Sequence, residues 1–457
     1  MNRVAAFAAN APLMSVPGAS APPNGIGEWY RGAGGLRLRA ALWRPEGAPR
    51  GTVVLSPGRT EPIEKYYEAI SDFLARDFAV LAHDWRGQGL SARLLPDRLK
   101  GHGRAVEEYV DDFSRLLDTY EAAAPKPWIM VGHSMGGCLN LISLESGESR
   151  FAGAVLSSPM LRLKTGKRSL WSVRFAARWN VRHGKAGDYV LDEYDDPFEH
   201  TFGKDSLTHD EHRYERWREQ LYACPHLAVG GITWGWLHFA VDAGERALKP
   251  KALRRVRIPL TIVQSANDDR VWKTTAKWAA KRIPNGRYVE VPRAKHEVLM
   301  ELDDMREQFF REFDDMADRV APRPGHIHAA PDPLPDPEAA LAESMRAPQP
   351  PHLSVEPEPV PESITTSEPQ PAPQAWAEPA PEAEPTLPYE PAAHAPVYAS
   401  QAMAAQPAPA NTEPESHSEP EPPAQPTPMQ TISFGPLHSP VSPATPDDDE
   451  PPISLKN

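Results

Sequence analysis

Residues 132–136, Gly-His-Ser-Met-Gly, constrain the fold of this chain more than any other feature of its sequence. They follow the apolar run at residues 128–131 and precede the helical pattern that begins at Gly137. The pattern predicts a strand, a sharp turn and a helix, with Ser134 at the apex, and the flanking glycines let the strand and the helix pass close together. A serine hydroxyl becomes a good nucleophile only when it is held beside a base, so other parts of the chain must supply that base.

Short apolar runs alternate with helical patterns on both sides of this turn. We predict strands at residues 51–55, 78–82, 128–131, 151–156, 259–264 and 287–291, and helices at 64–74, 109–124, 273–283 and 301–320. This alternation predicts an α/β fold with a mostly parallel central sheet flanked by helices. The alternating residues 35–43 are typical of an antiparallel edge strand.

The alternation stops between residues 162 and 257, a stretch that contains five of the twelve tryptophans. Helical patterns occupy residues 208–223 and 231–248. Since parallel sheets bind ligands beyond the carboxyl ends of their strands, we expect this insertion to form a helical cap over such a site. Its tryptophans line an apolar substrate pocket or form the cap's own core. The basic residues 164–174 are typical of a solvated face, with attraction to phospholipid head groups as the alternative.

Two loops after the insertion carry the residues that could activate Ser134. The first contains Asp268 and Asp269, and the second contains His296. Both loops follow predicted strands, so their side chains should reach the same sheet edge as Ser134. We favour Asp269 as the acid, because Val271 two residues later can pack as the loop turns back, and we keep Asp268 as the alternative.

A tetrahedral intermediate also needs backbone N–H donors for its oxyanion. We expect one from Met135, directly after the serine, and the other from Arg59, where Gly58 allows a close approach; the alternative for that loop is an ordinary Pro-Gly turn. Residues 84–89 lack the Gly-x-Gly-x-x-Gly spacing of a dinucleotide loop, so we interpret them as a structural turn beside the site.

The composition changes abruptly near Ala321. Residues 321–457 hold 35 of the 53 prolines and 20 of the 62 acidic residues, but only 3 of the 49 lysines and arginines. Such a segment cannot bury enough apolar surface to offset its ordering entropy. We therefore divide the chain into an N-terminal extension (1–27), a folded domain (28–320) with a cap insertion at about 161–257, and a disordered acidic, proline-rich tail (321–457). We favour solubility or tethering as the role of the tail, with binding of a polyproline-recognising partner of unknown identity as the alternative.

The two cysteines are Cys138 and Cys224, and Cys138 falls in the helix after Ser134. We therefore expect no structural disulfide and a reducing compartment. The N-terminal apolar run is too short for a signal peptide, and no run is long enough to span a bilayer. These features predict a cytoplasmic location, and peripheral contact with the inner face of the membrane is kept as an alternative to a location free in the cytoplasm.

Several motifs resemble the lysophospholipase/monoacylglycerol lipase branch of the serine α/β-hydrolases, closest to its bacterial lysophospholipases. They are Pro-Gly-Arg-Thr-Glu at 57–61 with Lys65-Tyr66, Asp-x-Arg-Gly-Gln-Gly-x-Ser at 84–91, Gly-His-Ser-Met-Gly-Gly at 132–137 and His296-Glu297; residues 93–95, 101–102 and 109–112 favour the bacterial members. The resemblance covers residues 29–319. The monoacylglycerol lipases usually have His-Gly where this chain has Pro57-Gly58.

The resemblance implies that Ser134 is the nucleophile, Asp269 the acid and His296 the base, with the backbone N–H groups of Arg59 and Met135 as oxyanion donors. It also implies no metal and no organic cofactor. We expect the substrate to be a lipid ester with one acyl chain, and we expect no nucleic-acid partner. The alternatives are a thioesterase, a small-ester esterase or an acyltransferase with the same three residues, or a scaffold protein recruited through its tail.

Overall fold

The computed structural model describes residues 10–192, 195–204 and 206–323. Within these residues, one sheet contains eight strands in the order β1-β2-β4-β3-β5-β6-β7-β8. The strands are β1 (Ile26–Arg31), β2 (Arg37–Trp43), β3 (Gly51–Ser56), β4 (Phe78–His83), β5 (Trp128–His133), β6 (Phe151–Ser157), β7 (Leu260–Ser265) and β8 (Gly286–Val291). Strands β3 to β8 pair in parallel, whereas β1 and β2 are antiparallel to their neighbours.

The described helices lie on both faces of this sheet and in the insertion between β6 and β7. They are α1 (Tyr67–Leu74), α2 (Val106–Tyr120), α3 (Ser134–Glu145), α4 (Leu170–Arg182), α5 (Glu211–Ala223), α6 (Trp234–Ala247), α7 (Pro250–Leu253), α8 (Lys273–Ala280) and α9 (Asp303–Val320). Helices α2, α3 and α8 contribute to the core on one face, and α1 and α9 to the core on the other. Every residue of β3, β4, β5 and β7 is buried, which explains why these strands are continuous apolar runs. The predicted mostly parallel α/β fold is confirmed.

The predicted edge strand has a different position. Strand β2 pairs antiparallel with β1 on one side and β4 on the other, so it lies inside the sheet, and β1 forms the edge. The sequence pattern did not predict β1. Its burial does not follow the two-residue period of a half-buried strand, since only Gly27 and Tyr30 are buried and the other four residues are half-buried or exposed.

The insertion lies between β6 and β7 and contains α4 to α7. Helices α5 and α6 match the predicted patterns at residues 208–223 and 231–248. Helix α4 was not predicted. Its largest apolar side chains face solvent, and only small or aliphatic ones such as Val173 and Ala177 pack toward the cap, so the apolar face that usually indicates a helix is weak in the sequence.

The described chain continues past α9. Ala321 is buried, and its carbonyl oxygen accepts a hydrogen bond of 2.9 Å from Arg50 Nε. The predicted disordered tail lies, apart from residues 321–323, outside the described residues. No helix in the described part of the chain is both long enough and apolar enough to cross a membrane.

Candidate active site

Ser134 opens α3 directly after β5, and its φ is +47°, a strained value for a residue with a side chain. The glycines on both sides are required by close backbone approaches. A Cβ atom on Gly132 would lie 2.9 Å from the Cα atom of Gly137, and one on Gly136 would lie 2.4 Å from the carbonyl oxygen of Pro57. The predicted strand–turn–helix is therefore confirmed, and Gly136 also brings the start of α3 against the loop that follows β3.

Three side chains from three loops meet at this turn. Ser134 Oγ lies 2.9 Å from His296 Nε2, and His296 Nδ1 lies 2.8 Å from Asp268 Oδ2. His296 and Asp268 are both buried, whereas Ser134 is only partly buried. In such a chain of contacts the imidazole can take the proton of the hydroxyl, and the carboxylate can stabilise the imidazolium that results.

The structure brings Asp268, and not the predicted Asp269, to His296. The Asp269 side chain is 57% exposed, and its carboxylate lies 3.4 Å from Arg270 Nε. Asp268 instead turns inward because its Oδ1 accepts the backbone N–H groups of Arg270 (2.8 Å) and Val271 (3.0 Å), a local turn that aspartate favours. Val271 is buried as expected, but its N–H group binds the aspartate three residues before it and not Asp269.

Hydrogen bonds and charge set the protonation of this pair. Burial raises the pKa of Asp268, but the neighbouring His296 and the two backbone N–H groups outweigh it and lower the pKa to about 2. Burial lowers the pKa of His296, but the Asp268 carboxylate outweighs it, so the pKa of His296 is raised. Asp268 is thus ionised near neutral pH, and it favours a proton on the imidazole.

The loop that carries Arg59 is held rigidly on both sides. Glu61 Oε2 accepts the Gly58 N–H at 2.6 Å, and Gln88 Oε1 accepts the Thr60 N–H at 2.8 Å. Residues 84–89 therefore brace this loop, as expected of a structural turn beside the site. The backbone N–H of Met135 lies in the first turn of α3, where it has no intrahelical acceptor. The oxyanion roles of Arg59 and Met135 stay predictions.

A buried charge cluster joins this loop to the histidine. Lys65 Nζ lies 3.0 Å from Glu61 Oε1 and 2.7 Å from Glu297 Oε1, and Glu297 follows His296 in the chain. Burial raises the pKa of Glu61, but Lys65 and His133 outweigh it and lower the pKa to about 2. These residues are part of the motifs quoted above, but no pattern assigned them a role, because their contacts join segments far apart in the sequence.

Replacing Glu61 by glutamine should lower kcat by roughly 10- to 100-fold and leave KM within about threefold. Glutamine keeps the size of the side chain but removes the charge that holds both Lys65 and the Gly58 N–H, so the loop loses its fixed geometry where charge develops in the transition state. Steady-state kinetics with p-nitrophenyl butyrate measure this effect, and thermal unfolding checks that the fold is intact. An unchanged kcat, or a change confined to KM, would contradict a role in positioning the loop.

The cap contacts the loop and the aspartate directly. The Arg59 guanidinium donates to the carbonyl oxygen of Gly230 and lies 5.3 Å from the ring of Trp236. Lys164 Nζ donates to the carbonyl oxygen of Asp268 at 2.8 Å. The cap therefore lies over the carboxyl edge of the sheet, where the sequence predicted it.

The five cap tryptophans do not share one environment. Trp236 is buried, and Trp217 lies under Lys65, whose Nζ is 5.9 Å from its ring. Trp171 and Trp179 are 73% and 55% exposed. At these exposures the two residues do not form the core of the cap, and neither lines the two cavities given by the described residues.

A family of known proteins matches this fold and this site. The family described as serine aminopeptidase, S33, matches residues 47–303, more than half of the chain. This chain is a member of that α/β-hydrolase family. The match includes Ser134, Asp268 and His296, the three residues that the fold brings together.

Curated relatives of this hydrolase include bacterial lysophospholipases. Lysophospholipase L2 of Escherichia coli K12 is 30% identical over 288 residues, which cover 61% of this chain and 83% of the relative. The probable lysophospholipase L2 of Haemophilus influenzae is 29% identical over 276 residues, which cover 58% of this chain and 83% of the relative. A monoacylglycerol lipase of Mycolicibacterium smegmatis is 33% identical over 138 residues, covering 30% of this chain and 48% of the relative. The predicted lysophospholipase/monoacylglycerol lipase branch is confirmed.

Solved structures share the fold of this hydrolase. A soluble variant of monoglyceride lipase from Saccharomyces cerevisiae matches with a TM-score of 0.53 and 18% identity, covering 68% of this chain and 99% of that one. A carboxyl esterase from Bacillus coagulans matches with a TM-score of 0.53 and 16% identity, covering 66% and 100%. At these identities the likeness concerns the fold alone.

Proposed function

We propose that this hydrolase cleaves the carboxylic ester of lipids with one acyl chain, a lysophospholipid or a monoacylglycerol, through an acyl-enzyme on Ser134. The observation that carries the proposal is the continuous contact from Ser134 Oγ through the His296 ring to Asp268 Oδ2, at 2.9 and 2.8 Å. The names of the curated relatives, lysophospholipase L2 and monoacylglycerol lipase, support this substrate class.

In the proposed reaction, His296 takes the proton of Ser134 as the serine oxygen attacks the ester carbonyl. Asp268 holds the imidazole in orientation and stabilises its positive charge. The backbone N–H groups of Met135 and Arg59 are the proposed donors to the oxyanion of the tetrahedral intermediate. His296 then gives the proton to the leaving alcohol, and water repeats the sequence to release the fatty acid.

The alternatives use the same three residues. A thioesterase, a small-ester esterase and an acyltransferase all pass through an acyl-enzyme, and they differ in the leaving group or in the acceptor. A scaffold role with an inactive hydrolase domain is less well supported, because it gives no reason for the aligned serine, histidine and aspartate. We further propose that the enzyme works in the cytoplasm, at the inner face of a membrane, since its proposed substrates are membrane lipids.

A substrate panel tests the proposal. The purified full-length chain would be given palmitoyl lysophosphatidylcholine, palmitoyl lysophosphatidylethanolamine, monopalmitoylglycerol, palmitoyl-CoA and p-nitrophenyl esters from acetate to palmitate, and released acid would be measured. We expect kcat/KM for the best single-chain lipid to exceed that for p-nitrophenyl acetate by roughly tenfold or more, because the longer chain buries more apolar surface. Enzyme inactivated by a fluorophosphonate is the control. A flat chain-length profile, or a preference for palmitoyl-CoA, would contradict the proposal.

A further inference from the structure

Helix α4 of the cap displays a row of aromatic side chains to solvent. Trp171, Phe175 and Trp179 are spaced four residues apart, so they lie on one side of the helix. Their exposed fractions are 73%, 56% and 55%. Neighbouring rings stack, with centroids 5.8 Å apart for Trp171 and Phe175 and 6.1 Å apart for Phe175 and Trp179. We call these three residues the aromatic stripe.

The rest of the cap holds α4 so that the stripe points outward. Ala177 is fully buried against Leu237 and Val241 of α6, with Val173 packed beside them. The helix is thus anchored by its small and aliphatic side chains and leaves its largest ones exposed. Exposed apolar clusters of this kind mark a surface that binds a partner, because single exposed apolar residues are common but contiguous ones are not.

The charge around the stripe indicates which partner. Residues 162–187 contain eight lysines and arginines and no aspartate or glutamate, although residues 1–320 as a whole carry a net charge of only +4. Arg178 and Arg182 follow ring residues by three positions, so they flank the stripe along the helix. Arg174 pairs with Glu245 at 2.8 Å, but neither Arg178 nor Arg182 forms an ion pair with a described residue. The surface therefore combines exposed rings with exposed arginines, although Asp242 and Glu245 of α6 line a surface cavity together with Arg174 and Arg178.

We propose that α4 docks this enzyme on a bilayer that contains anionic phospholipids. Tryptophan and phenylalanine rings bury favourably at the boundary between head groups and acyl chains, and arginines beside them bind lipid phosphates. A helix with an aromatic face and a positively charged flank has the composition of an interfacial helix, and arginines beside exposed rings complement a surface of anionic lipid head groups.

Helix α4 is connected to the edge of the sheet at which Ser134, Asp268 and His296 meet. The chain that leads into α4 includes Leu163, which bridges to Val271, and Lys164, which binds the carbonyl oxygen of Asp268. The cap that lies over Ser134 would therefore also be the part of the enzyme that contacts the bilayer. The proposal deepens the membrane location proposed above by naming the surface that docks; it rests on that location but does not depend on which ester is cleaved.

Vesicle binding by the full-length chain tests the proposal. We expect the protein to sediment with vesicles of phosphatidylcholine and about 30% phosphatidylglycerol, and to bind pure phosphatidylcholine vesicles at least about tenfold more weakly. The triple variant Trp171→Ala/Phe175→Ala/Trp179→Ala should bind the anionic vesicles about 30-fold or more weakly. The variant Arg178→Glu/Arg182→Glu should lose about tenfold and show a smaller dependence of binding on salt.

Matched controls are available elsewhere on the surface. Tyr222→Ala removes an aromatic side chain that is 53% exposed on α5, and Arg115→Glu reverses a charge that is 49% exposed on α2; neither should change vesicle binding. All of these variants should hydrolyse the soluble ester p-nitrophenyl butyrate within about twofold of the wild-type rate, which shows that they fold. Ser134→Ala should bind vesicles normally, so docking and the proposed hydrolysis can fail separately.

Three results would overturn the proposal. The first is a wild-type chain that does not bind anionic vesicles, and the second is a triple variant that binds them as well as the wild type does. The third is a concentration-dependent dimer in sedimentation velocity that the triple variant abolishes while vesicle binding persists, which would assign the stripe to a second copy of this chain.

Discussion

Replacing Ser134 by alanine is expected to lower the turnover of p-nitrophenyl butyrate by about 10⁴-fold or more. The substitution removes the oxygen that lies 2.9 Å from His296 Nε2, and no other hydroxyl is in contact with that nitrogen among the described residues. The remaining activity would come from the oxyanion donors and from binding alone. Initial rates and labelling by a fluorophosphonate probe measure the loss, and both should disappear together because both need the same nucleophile.

Ser143→Ala is the matched control for this variant. Ser143 lies in the same helix and is buried, and among the described residues its hydroxyl bonds only to the carbonyl oxygen of Leu139, at 2.9 Å. Its loss should leave turnover and labelling within about twofold of the wild-type values. A Ser134→Ala enzyme that kept either activity or labelling would show that another residue is the nucleophile and would end the proposed mechanism.

The adjacent aspartates should respond very differently to the same substitution. Asp268→Asn is expected to lower kcat by roughly 10³- to 10⁴-fold, because an amide cannot stabilise the imidazolium and can favour the wrong tautomer of His296. Asp269→Asn should change kcat by less than about twofold, since that side chain is 57% exposed and contacts Arg270. Steady-state kinetics of the two variants, side by side, measure the difference. Equal losses, or a larger loss in the Asp269 variant, would contradict the geometry.

The pH dependence of kcat/KM gives a second readout for this pair. His296 must be neutral to accept the serine proton, so activity should fall as the pH drops through its pKa, which Asp268 raises. The Asp268→Asn variant lacks the carboxylate charge that raises the pKa of His296, while burial still lowers that pKa. The fall of kcat/KM at acidic pH should therefore occur at lower pH than in the wild type, and the maximal kcat/KM should be lower as well. If kcat/KM of the variant fell at the same acidic pH as in the wild type, Asp268 would not be the group that raises the pKa of His296.

Much of the fold follows from local patterns. Five of the six parallel strands, β3 to β7, were predicted because strands buried on both faces are short apolar runs, and that property is visible without a structure. The sixth, β8, lies at the other edge of the sheet and is only partly buried, although residues 287–291 were also predicted as a strand. The edge strand β1 and the helix α4 were not predicted for a related reason. Each keeps much of its side-chain surface in contact with solvent, so neither shows the periodic burial that such patterns report.

The sequence by itself determined the serine at its strand–helix turn, the later histidine and the order in which these groups follow the strands. Only the tertiary structure decided which aspartate meets His296, because Asp268 and Asp269 are adjacent and chemically identical. The choice depends on the direction of each side chain, and the backbone N–H groups of Arg270 and Val271 set that direction. The same holds for the buried Glu61–Lys65–Glu297 cluster and for the outward stripe on α4. Composition and spacing record which side chains are present, but long-range packing sets where each of them points.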